Sequence, residues 1–109
     1  MRRRFEDISG DDMAAWCALL NDDNAIHLSR EAAAAAGFGP RRVNPGPANL
    51  AYLMTLVGRD FAVLDAQFAG NVFEGDDLTA EVSQQDDTTH ARLLRGAEVL
   101  VTAVFKEKP

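Results

Sequence analysis

The chain has 109 residues, enough for one domain with a single modest core, because soluble domains most often run about 100–150 residues. Its 47% hydrophobic and 26% charged residues are globular proportions and exclude a disordered chain. With 11 Lys and Arg against 17 Asp and Glu, the net charge of -6 argues against nucleic acid or an anionic membrane as main partner, since both demand clustered positive charge.

Arg2–Asp7 reads as a short strand entering the domain. Ser9 is placed to cap a helix, with Asp11 and Asp12 in the first turn, where the helix dipole favours carboxylates. Met13, Trp16, Cys17 and Leu20 follow at helical spacing and predict one buried stripe, with Asn21–Asp23 ending the helix. Ser29 is a second cap, Arg30–Ala36 a short helix and Gly37 its stop. The Gly- and Pro-rich stretch Gly37–Pro47 must be a loop. Ala48–Val57 is apolar on nearly every side, which predicts a buried helix closed by Gly58.

The second half is rich in strands. Leu64, Ala66 and Phe68 alternate with Asp65 and Gln67, and Leu78, Ala80 and Val82 alternate with Thr79, Glu81 and Ser83. Glu74–Asp77, Asp86-Asp87 and Arg95-Gly96 mark turns. In the last strand, Glu98–Lys106, Val99, Val101, Ala103 and Phe105 lie on one face and Leu100 and Val104 on the other. Such a strand needs a layer on each side, so the pattern predicts that the second face meets another subunit. The expected architecture is a single α+β domain over 1–109, an antiparallel sheet wrapped around a long central helix, and a homodimer or larger assembly.

Cys17 alone cannot form an internal disulfide, and Met1–Arg4 is not followed by the apolar run of a secretory signal. The longest apolar stretch is broken by Asn49 and Thr55 and is too short for a bilayer span, which takes about 20 residues. A cytoplasmic protein is the expectation.

Chemistry-bearing residues concentrate in Asp22-Asp23-Asn24-Ala25-Ile26-His27. A carboxylate and an imidazole five positions apart on a loop can converge on one water, and His is suited to proton transfer near neutrality. The same residues also read as a helix end, an Asn turn and a half-buried loop His. Arg41 and Arg42 are either an anion contact or solvated loop charges, and His90 reads as an exposed strand residue. No metal-ligand spacing and no phosphate-binding glycine loop is present in the sequence.

Asp22-x-Asn24-x-x-His27-Leu28, followed by the Ala-rich helix and a Gly-containing loop into an apolar helix, resembles the MaoC-like family of (R)-specific enoyl-CoA hydratases and dehydratases. Phe68–Leu78, ending in Gly75-Asp76-Asp77-Leu78, is similar to that family's Gly-Asp-x-Leu segment, and the likeness runs from about Phe5 to Phe105. Two positions depart from the pattern: Ala25 replaces a proline, and Pro45 stands where the family carries the His of a His-Gly pair.

The resemblance implies a hot-dog fold in which Asp22 and His27 hold a water and serve as the acid/base pair. It implies a Gly46 N–H that binds the thioester oxygen at the start of the central helix, with Asn24 in support. Arg41 and Arg42 would meet the ligand's phosphates. The substrate would be an acyl-CoA or acyl-carrier thioester, with no cofactor and no metal. A non-catalytic acyl-binding or partner subunit is the alternative, and a hot-dog thioesterase a further one.

Overall fold

A computed structural model describes residues 1–58 and 60–107. Within it the chain runs β1 (Arg2–Phe5), α1 (Gly10–Leu20), a 3-10 turn (Ala25–His27), α2 (Arg30–Ala35), α3 (Gly46–Val57), β2 (Phe61–Phe68), β3 (Leu78–Gln85), β4 (Thr88–Arg95) and β5 (Glu98–Glu107). Every pairing in the sheet is antiparallel, in the order β1-β3-β4-β5-β2. Helix α3 packs on one face, over a core of Leu53, Leu78, Ala80, Leu93, Val101, Ala103 and Phe105. No helix among the described residues is long and apolar enough to cross a membrane.

The helix boundaries follow from their caps. The Ser9 and Ser29 side chains accept from the Asp12 and Ala32 amides, and Asn21 ends α1 in the left-handed region. Helix α3 starts at Gly46, two residues before the apolar run, because Pro47 in its first turn needs no N–H partner. The α1 stripe is shorter than its spacing predicts: Met13 and Cys17 are buried, Trp16 is half-buried and Leu20 is 38% exposed. Helix α3 likewise buries Ala48, Asn49 and Leu53, while Met54 on its outer side is 42% exposed.

The last strand corrects the expected face of Leu100, while Val104 lies on the second face as expected. Leu93 pairs with Val101 and Leu94 with Val99, so Leu100 is an extra residue in β5. A bulge of this kind breaks the alternation and turns neighbours toward the same side. Leu100 and Val101 are accordingly both fully buried in the one core. Gly70 permits this, since a Cβ there would lie 2.9 Å from Leu100 Cδ2. The central row of the opposite face is polar, pairing Arg2 with Glu81, Glu81 with Arg92, Arg92 with Thr102 and Thr102 with Gln67, and the half-buried Val104 lies beside it between His90 and Asp65.

Within the sheet, exposed apolar side chains lie on β2, an edge strand. Val63 is 41% and Phe68 52% exposed, so the alternation reads correctly as a strand but does not bury Phe68. The Leu64 side chain, expected on the same face, lies outside the described residues.

Candidate active site

Two short segments carry the candidate residues. The first is Asn21–His27, in which the Asp22 N–H donates to Cys17 O (2.9 Å) and the Asn24 N–H donates to Asp22 Oδ1 (3.0 Å). Asn24 Oδ1 in turn accepts from the Ile26 N–H and caps the 3-10 turn, and the Asn24 carbonyl accepts from the His27 N–H, so Asn24 ties Asp22 and His27 into one turn. This turn aims the Asp22 carboxylate back toward the imidazole. His27 Nε2 lies 3.3 Å from Asp22 Oδ2, with the ring buried and the carboxylate about one-third exposed.

The second segment is a strap, Arg41–Pro45, laid between the 3-10 turn and the Val72–Asp76 turn. The Val43 N–H donates to Ile26 O, the Asn44 N–H to Val72 O (2.7 Å) and the Glu74 N–H to Arg42 O. Val43 O lies 2.7 Å from His27 Nδ1. A carbonyl offers only lone pairs, so Nδ1 carries the hydrogen and a neutral ring keeps its lone pair on Nε2, facing Asp22. Two lone-pair groups face each other there, an arrangement that suits one proton or one water held between them.

The strap leads directly into α3. Pro45 is fully buried, and its carbonyl accepts from the Ala48 and Asn49 amides. Pro47 has no N–H, and the Gly46 N–H has no hydrogen-bond partner among the described residues. The first turn of α3 therefore presents one free donor at its positive end. A Cβ at Gly46 would lie 4.0 Å from Phe68 Cε1, which places the exposed Phe68 of β2 beside this amide.

Arg41 and Arg42 are engaged by the protein. Arg41 pairs with Asp76 (2.9 Å) and lies over the Phe73 ring, and Arg42 donates to Gly10 O (3.1 Å). Asp76, whose side chain is 3% exposed, also binds Arg95 (2.7 Å) and the Phe73 amide. Glu74 binds Arg30 (2.7 Å) and accepts from the Arg42 backbone. The Arg30 hydrogen bond, opposed by burial and helped by the Arg42 backbone, holds the Glu74 carboxyl below its usual range. Burial first and the Asp22 charge second push the Cys17 thiol up, which disfavours its thiolate. His90 is exposed, as expected.

Sequence reasoning missed Asn44, Asn49, Asp76 and Glu74. Asn49 interrupts an otherwise apolar helix, which was the available signal. The two acids look like ordinary turn residues, and only their Arg partners, 19 to 44 positions away, distinguish them.

These features are those of a hot-dog fold with a polar site at the start of its central helix, and solved structures bear the assignment out. An (R)-hydratase from A. caviae involved in PHA biosynthesis matches with a TM-score of 0.78 and 28% identity, over 100% of this chain and 95% of that one. HadBC, a 3R-hydroxyacyl-ACP dehydratase complex from Mycobacterium tuberculosis, matches in fold with a TM-score of 0.67 and 21% identity, over 94% and 88% of the two chains. The ChsH1-ChsH2 complex from the same organism matches with a TM-score of 0.73 and 13% identity, over 99% and 94%. No family model and no curated protein matches the chain. The likeness is to hot-dog proteins of the MaoC-like hydratase and dehydratase type.

Proposed function

We propose that the protein is an (R)-specific hydratase of trans-2-enoyl-CoA, running also as a dehydratase of the corresponding 3-hydroxyacyl thioester. The observation that carries this reading is the pinning of His27 Nδ1 by Val43 O, which turns Nε2 toward Asp22 at 3.3 Å. The likeness to an (R)-hydratase at 28% identity supports it.

In this mechanism the thioester carbonyl accepts a hydrogen bond from the Gly46 N–H. The α3 N-terminus adds positive potential as the oxygen gains enolate character. Asp22 and His27 hold the water and share one mobile proton. As the water oxygen bonds to C3 of the substrate, one group removes its proton and the other delivers a proton to C2. Dehydration reverses each transfer. No cofactor is required beyond the coenzyme A or acyl carrier of the substrate, and Arg41 and Arg42 reach its phosphates only by exchanging their present partners.

Loss of the conjugated enoyl-thioester absorbance measures the reaction. Asp22→Asn and His27→Gln should each lower kcat by about 10²- to 10⁴-fold while leaving the circular dichroism spectrum unchanged. No turnover by folded protein on short, medium or branched enoyl chains would overturn the reading. Thiol release in its place would identify a thioesterase.

A second reading, a partner subunit without activity of its own, is favoured by the buried Pro45 at the family's His position and by the two-chain complexes among the structural neighbours. The apolar edge strand β2 offers a seat for a second chain, either a copy of this one or a different hot-dog subunit. Turnover by the purified homo-oligomer in the cytoplasm's pH range decides against that reading.

A further inference from the structure

We infer that Asn44 and Asn49 are a positioning pair that fixes the Gly46 amide relative to the His27 imidazole, an inference that rests on the hydration reading above. Both residues are 3% exposed, and Asn44 Nδ2 donates to Asn49 Oδ1 at 2.7 Å. Amides buried this deeply cost free energy unless paired, whereas replacing both by leucines of similar shape removes that cost altogether. A polar pair at this point therefore has a geometric role.

The connectivity defines that role. Val43 O holds His27 Nδ1, and Pro45 O begins α3, one residue before the free Gly46 N–H. Only Asn44 lies between Val43 and Pro45. Its backbone N–H is tied to Val72 O on one side, and its side chain is tied to Asn49 in the first turn of α3 on the other. Pro45 has a fixed φ and no N–H with which to hold the strap. Among the described residues, Asn44–Asn49 is thus the side-chain bond joining the strap to the helix. Without it the Val43 carbonyl and the Gly46 amide are related only through the backbone bonds of Asn44 to Val72 and of Pro45 to the first turn of α3, so their relative position loosens. The acid/base pair and the oxyanion donor then lose their common frame, and a misplacement of about 1 Å costs up to about 100-fold in rate.

The test uses hydration of trans-2-butenoyl-CoA by the intact protein and three variants. Asn49→Leu should lower kcat about 10- to 100-fold with KM within about threefold, the signature of contacts made in the transition state. Asn49→Asp keeps an acceptor oxygen in place and should recover most of kcat. Asn44→Leu/Asn49→Leu removes both amides and should recover the melting temperature of the wild type without recovering kcat. A double variant that regains kcat together with stability, or an Asn49→Leu enzyme of normal kcat, overturns the inference.

A second readout is independent of turnover. The Gly46 amide resonance and its hydrogen exchange, together with the His27 ring nitrogen shifts, should all move in Asn49→Leu. If the wild type proves inactive, the hydration reading fails and the inference stands or falls on these signals. Gly46 and His27 signals unchanged in a folded Asn49→Leu protein overturn it.

Discussion

Around Phe105, Leu93 and Leu53 the chain is held by apolar contact, and the groups involved are almost wholly out of water. Along Arg41–Pro45 each residue is held by hydrogen bonds or ion pairs that run to α1, the 3-10 turn, the Val72–Asp76 turn and α3. The core tolerates small shifts of position because apolar contact has no preferred direction. The strap does not, since a hydrogen bond weakens steeply as its angle degrades. Stability and site geometry are thereby carried by different residues, and substitutions should separate them.

Phe105→Ala should have the largest effect on stability. It opens a cavity beneath β5 at a residue 1% exposed, at a cost of about 3–5 kcal/mol in denaturant titration. At a temperature where the variant is still folded, its turnover per folded molecule should remain close to wild type. A large kcat loss there would show that core and strap are not separable.

Asp76→Ala should cost less stability and more activity. Its carboxylate bridges Arg41 and Arg95, but both arginines reach solvent, so they rehydrate when it is removed. The Phe73 amide is also left without its acceptor. A loss of about 1.5–3 kcal/mol is expected, below that of Phe105→Ala. The strap also loses its Arg41 anchor, and kcat should fall with it. Unchanged kcat would confine the network to a structural role.

These two substitutions also mark what could be read from the sequence. The layout of an antiparallel sheet on a central helix follows from local signals: Ser9 and Ser29 as caps, an apolar helix after a Pro-rich loop, and strands of period two. The Asp22-x-Asn24-x-x-His27 spacing by itself fits a helix end with an Asn turn as well as a chemical site; its likeness to the MaoC-like pattern is what singles it out, and the structure brings the Asp22 carboxylate to 3.3 Å from the His27 ring. The strap was not legible, since its order comes from long-range pairings such as Arg41–Asp76 and Asn44 to Val72 that no periodicity encodes. Leu100 misled for a related reason. A bulge changes which face a side chain takes without changing the composition of the strand.

Acid should reach the strap before the core. Glu74 has a folded pKa below its unfolded one, with the Arg30 hydrogen bond as the largest cause. Its contribution is complete above the unfolded carboxylate value of about 4.3 and is lost as pH falls through the folded value, because the unfolded chain binds the proton first. The melting temperature should therefore fall below about pH 4.3, and Glu74→Gln should flatten that fall while lowering stability at neutral pH. An acid limb unchanged in Glu74→Gln would remove this carboxylate from the account.

The smallest effect is expected outside both regions, in the two-residue β3–β4 turn. Asp86 has φ 57°, a conformation that an L side chain enters at a cost and glycine enters freely. Gln85 pairs with Thr88, so the turn is a tight hairpin whose first position favours glycine. Asp86→Gly should gain about 0.5 kcal/mol, the strain relieved being partly offset by the extra freedom of glycine in the unfolded chain. That corresponds to a rise in melting temperature of about 2–4 °C. Because the hairpin makes no contact with Arg41–Pro45 through the bonds described, kcat should not change. A change in kcat here would mean that the sheet transmits strain to the strap, and that the two regions are mechanically one.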